Sequence, residues 1–163
     1  MSPIERIRDL RQAAKHEEAC VLAVELAAQH PADSALQYET ACVHDFLGHE
    51  GRAVKYYVAA TSGDLPPNQL RGAYLGLGST YRVLGRFADS EQILLEGLTH
   101  FPAAPELEAF LAMTLHNLGR SKQSVEILLR LLAVTSADVN IQEYKAAISF
   151  YATDIEKIWT QGS

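Results

Sequence analysis

The sequence predicts an all-α solenoid of repeated helix–turn–helix units, and three observations carry that expectation. A short phrase recurs as Leu47-Gly48-His49-Glu50, Leu84-Gly85-Arg86-Phe87 and Leu118-Gly119-Arg120-Ser121, with steps of 37 and 34 residues between its glycines. Between the phrases, apolar residues return every three or four positions, as in Ala73, Tyr74, Leu77, Tyr81 and Leu84, so they line one side of a helix. Pro31 and Pro102 stop the second helices of the first and third units, because proline cannot continue the hydrogen-bond ladder.

The elements follow in order. Repeat one spans about 1–33 and carries only a weak copy of the phrase, Ala14-Lys15-His16-Glu17, although Ala19, Ala23, Leu26 and Pro31 match the second unit. Repeat two, about 34–70, offers Thr40, Ala41, Gly48, Ala53, Tyr57 and Ala60; its three extra residues fall in the loop-like Gly63-Asp64-Leu65-Pro66-Pro67. Repeat three, about 71–104, is the clearest. Tyr74, Leu77, Gly78 and Tyr81 form a bulky residue, Leu-Gly and Tyr at fixed spacing, with the small residues Gly78, Ser90 and Gly97 where two helices would cross. Repeat four, about 105–137, supplies Leu111, Ala112, Leu115, Gly119 and Ser124. A last helix, about 138–160, places Ile141, Tyr144, Ile148, Tyr151, Ile155 and Ile158 on one stripe and ends near Trp159; it is expected to cap the open end of the array. The whole chain, 1–163, reads as one domain.

Composition narrows the function classes. A net charge of −6 opposes nucleic-acid binding, which needs cations to displace phosphate counterions. The charged N-terminus has no signal-peptide core, and no run approaches a membrane span, so a cytoplasmic protein without membrane contact is expected. Two cysteines, Cys20 and Cys42, are too few for a disulfide framework. None of the six histidines shows a zinc-helix spacing, and His44 and His49, five apart, are expected on different helix faces. No phosphate loop or nucleophile elbow is present. No cofactor, metal or catalytic residue is therefore expected, and the chain does not read as an enzyme.

The runs Arg71-Gly72-Ala73-Tyr74-Leu75-Gly76-Leu77-Gly78-Ser79-Thr80 and Phe110-Leu111-Ala112-Met113-Thr114-Leu115-His116-Asn117-Leu118-Gly119-Arg120 resemble those of small bacterial tetratricopeptide-repeat (TPR) proteins. The resemblance covers roughly Ala41 to the end of the cap. It implies a right-handed TPR superhelix and a role in protein interaction or scaffolding, and no agreed biochemical activity. The Lys and Asn set with which some TPR proteins clamp chaperone C-termini is missing, since the corresponding positions hold residues such as Ile4, Arg8 and Glu39.

In such an array the first helix of each repeat lines a concave groove. The expected partner-binding residues are Tyr38, Asp45, Phe46, Arg82, Met113, His116 and Asn117, with Arg8 and Arg11 contributed by repeat one. Arg82 suits a carboxylate, because a guanidinium donates two parallel hydrogen bonds. Asp45, Arg82 and His116 occupy equivalent places on successive helices, so pairing with one another is the competing reading. Gly72 and Gly76, costly inside a helix, suggest close approach of another backbone, from a neighbouring helix or a ligand. The leading expectation is a module that binds a protein or peptide segment in the groove. The alternative is a structural protein that assembles through the TPR surface or C-terminal helix, as a homodimer with Tyr151, Ile155 and Trp159 at the contact.

Overall fold

The structure is a computed structural model and describes residues 2–158. Among them are ten helices and no strand: α1 Pro3–Gln12, α2 His16–Gln29, α3 Ser34–Phe46, α4 Glu50–Thr61, α5 Pro67–Val83, α6 Phe87–His100, α7 Pro105–Asn117, α8 Ser121–Thr135, α9 Val139–Glu143 and α10 Lys145–Tyr151. Local chemistry starts several of them. Ser2 and Glu5 make a reciprocal capping box on α1, and the Asp33 and Asp138 carboxylates accept from the first amides of α3 and α9. Pro67 and Pro105 open α5 and α7, where a missing N–H costs nothing.

Four turns share one hydrogen-bond pattern. The amides of Lys15, His49, Arg86 and Arg120 each reach back five residues, to the carbonyls of Leu10, His44, Tyr81 and Leu115. This is the helix stop in which one residue must be left-handed. Gly48, Gly85 and Gly119 take that role with φ of +70°, +73° and +78°, and Ala14 takes it with φ 58°. Repeat one, faint in sequence, therefore turns like the others.

Packing then fixes the curvature. Each first helix rests on the next, α1 on α3, α3 on α5 and α5 on α7, whereas α2, α4, α6 and α8 touch none of one another. The first helices thus line the inner, concave side. Small residues at equivalent places on the outer helices, Ala19, Ala53, Ser90 and Ser124, are buried where each pair crosses. The Ser90 hydroxyl donates to the Gly78 carbonyl at 2.7 Å and lies 2.9 Å from that of Thr114, tying α5, α6 and α7 together. Apolar cores follow one another along the array, around Ile7 and Leu36, around Tyr57 and Leu77, and around Tyr74, Leu94 and Leu107.

The C-terminal segment corrects the expected single helix over 138–160. It forms two short helices that break at Tyr144, and the chain turns there so that α10 packs on α8. Lys122 pairs with Asp154 at 2.5 Å, and Gln142 donates to the Ala133 and Ser136 carbonyls. The proposed stripe does not stay together: Tyr144, Tyr151 and Ile158 are exposed. Trp159 lies outside the described residues.

Candidate functional site

On the concave side a cleft opens at the N-terminal end. Arg8 and Arg11 stand one turn apart on α1, so both reach α3 and share the carboxylate of Glu39. Arg8 Nε donates to Oε1 at 2.7 Å with its Nη2 on the same oxygen, and Arg11 Nη1 donates to Oε2 at 3.2 Å. The Glu39 side chain is only 5% exposed, while that of Arg8 is 46% exposed. Two guanidiniums on one carboxylate leave a net positive charge facing solvent. Gln12, His16, Tyr38, Cys42 and Phe46 complete a cleft of about 500 Å³. His16 lies against Phe46 with ring centroids 4.2 Å apart. Burial pushes the Tyr38 hydroxyl and the Cys42 thiol above their ordinary pKa values, so both line the cleft as neutral groups at pH 7.

A second polar group lies further along the groove. Arg82 Nη1 on α5 donates to Asn117 Oδ1 on α7 at 3.4 Å, and the buried Arg82 Nε has no hydrogen-bond partner among the described residues. Buried donors normally find an acceptor. Met113 is half-buried on the same helix as Asn117, and His116 Nδ1 is 3.2 Å from the Ser121 hydroxyl. The Tyr57 hydroxyl donates to Asp45 Oδ2 at 3.1 Å, and burial holds the Asp45 carboxyl above its usual pKa despite that bond.

The residues expected from sequence thus divide into separate places. Tyr38 and Phe46 line the N-terminal cleft, Arg82 and Asn117 meet between α5 and α7, and Asp45 and His116 are engaged elsewhere. Mutual pairing of Asp45, Arg82 and His116 is not what holds them; each has a partner of another kind. Side chains of the chain itself fill the space beside Gly72 and Gly76. A Cβ at Gly72 would meet the Tyr38 hydroxyl, and one at Gly76 would meet the ring of Tyr57. Glu39, His16 and Gln12 were not among the expected site residues. The signal for Glu39 was the Arg8 and Arg11 pair at helical spacing, but which acid it faced depended on how α1 lies on α3.

None of the described helices is long and apolar enough to cross a membrane. No match to a curated protein was found. A family profile described as tetratrico peptide repeat matches residues 34–155, from the start of α3 to beyond α10. That match spans most of the chain and agrees with the paired helices and their recurring turn, so the chain belongs to the tetratrico peptide repeat family, whose members serve as protein-interaction modules.

Proposed function

We propose that this chain acts by binding, not catalysis, and that its concave face takes an extended peptide or protein segment carrying acidic groups. One observation carries the reading: the groove displays guanidiniums with hydrogen-bonding capacity to spare. Arg8 and Arg11 outnumber the one carboxylate they share, and Arg82 keeps a buried N–H without an acceptor among the described residues. Carboxylates spaced along a strand-like peptide would satisfy both places, and Tyr38 and Phe46 would pack against its apolar side chains. Net charge −6 does not oppose this, because recognition depends on the local field.

The test is selection of peptides from a random display library on the immobilised wild-type protein, followed by fluorescence anisotropy on the peptides selected. Enrichment of Asp- and Glu-bearing peptides is expected, with affinity reduced about tenfold or more in Arg8→Ala/Arg11→Ala and in Arg82→Ala. Neutral or basic peptides unaffected by these changes would reject the reading.

Assembly of copies is the second reading, favoured by exposed apolar side chains at the C-terminal end, among them Leu132, Val139 and Tyr151. Light scattering across protein concentration tests it. A dimer lost in Leu132→Glu would support it, and a monomer throughout would remove it.

A further inference from the structure

His44 and His49 are not on diverging helix faces. His44 is the residue whose carbonyl receives the His49 amide in the turn after α3, at 2.9 Å, and this turn folds the later side chain back over the earlier one. The same relation in repeat three sets Arg86 over the Tyr81 ring. In repeat two it puts the imidazole centroids 5.8 Å apart. Cys20 of α2 supplies a third donor, with Sγ 3.7 Å from His44 Nδ1, and one donor atom from each of the three residues lies within 4.8 Å of the others.

We propose that Cys20, His44 and His49 form a three-coordinate site for a thiophilic d10 cation, Cu(I) in preference to Zn(II). The geometry suits one ion. Sulfur and nitrogen bonded to one metal at about 2.3 and 2.0 Å, with an angle between tetrahedral and trigonal, stand about 3.6 Å apart, close to the Cys20–His44 separation. The longest separation must close by about 1 Å to reach the same value, which a rotation of His49 supplies from its place at the start of α4. His49 Nδ1 is buried without a hydrogen-bond partner among the described residues, and His44 is 3% exposed and stacked on Tyr56. His44 is therefore held in place, and His49 has a ring nitrogen with nothing to bind.

Charge selects the ion. Arg52 and Lys55 act on His44 as nearby cations, and Glu17 lies near Cys20. On binding, the Cys20 thiol releases its proton to solvent as the S–Cu bond forms. A thiolate with Cu(I) is neutral, whereas a thiolate with Zn(II) adds a positive charge to surroundings where two cations already outnumber the one acid, which burial makes costly. The cluster belongs to repeat two alone: the residues matching the His44 and His49 pair are Leu10 and Lys15, Tyr81 and Arg86, and Leu115 and Arg120.

The experiment is an anaerobic titration of the full chain with Cu(I), using a chromophoric Cu(I) chelator as competitor, and a parallel Zn(II) titration. One equivalent of Cu(I) is expected to bind in wild type and in Cys42→Ser, and at least about 100-fold more weakly in Cys20→Ser and in His49→Gln. Circular dichroism checks that both variants fold; His49 sits in a turn, so its replacement leaves the core intact. X-ray absorption should report one sulfur and two nitrogen neighbours. Zn(II) bound more tightly than Cu(I) would overturn the choice of ion. Neither ion bound more tightly than about 1 µM, or binding that Cys20→Ser and His49→Gln leave unchanged, would overturn the site.

Discussion

The ring of Tyr57 occupies the space beside Gly76 into which any larger residue would project, its Cε1 only 2.7 Å from where a Cβ would stand. Tyr57 is 3% exposed and its hydroxyl is held by Asp45, so the ring cannot step aside without losing that bond. Gly76→Ala should therefore lower stability by about 1–3 kcal/mol, despite the gain in helix propensity. Gly72 is the contrast. A Cβ there meets the tip of Tyr38, a partly exposed side chain that can swing outward, so Gly72→Ala should stay within about 0.5 kcal/mol of wild type. Urea denaturation of the two variants measures the difference; equal effects would show that Tyr57 is free to move.

Ala14 holds a left-handed conformation in the first turn, where the other three repeats have glycine. An L-residue pays about 1–2 kcal/mol there, partly offset by the freedom glycine gains in the unfolded chain. Ala14→Gly should stabilise the protein by about 0.5–1 kcal/mol. A decrease in the denaturation midpoint would contradict this.

Glu39 is the anion that keeps Arg8 and Arg11 together. Glu39→Gln leaves the two cations facing each other across a buried amide and should cost about 1 kcal/mol, a modest figure because the guanidiniums stay partly in water. The same change frees both guanidiniums and raises the cleft by one charge. Acidic peptides selected on the wild type should then bind more tightly to Glu39→Gln. Loss of both stability and binding would mean that Glu39 only shapes the cleft.

Burial raises the Asp45 pKa, and the Tyr57 hydroxyl only partly counters it. The folded state then favours the protonated acid. Its contribution is fully present below the ordinary aspartate pKa and is lost as pH rises through the raised, folded value. Asp45→Asn keeps an acceptor for Tyr57 and removes the buried charge. It should melt higher than wild type at pH 7, and the gap should close as pH falls below the usual carboxylate range. A gap of the same size at pH 3 would argue against this origin.

The sequence alone determined the architecture, because helical period, turn glycines and small crossing residues are local features that repeat. The Leu-Gly phrase located three of the four turns, and the bulky, Leu-Gly and Tyr pattern marked the first helix of repeat three. Gly78, Ser90 and Gly97 were readable as crossing positions since a small side chain is what close helices require, and all three are buried. What only the tertiary structure decided is which side chains meet across helices. Tyr38 and Tyr57, not a ligand, account for Gly72 and Gly76; Glu39 gathers Arg8 and Arg11; and the turn after α3 brings His49 back onto His44 and toward Cys20. Such contacts depend on the crossing and rotation of each helix against its neighbours, which the packing of the whole array sets. The last segment makes the same point: its apolar spacing predicted one helix, and docking of α10 on α8 accompanies a break at Tyr144 instead.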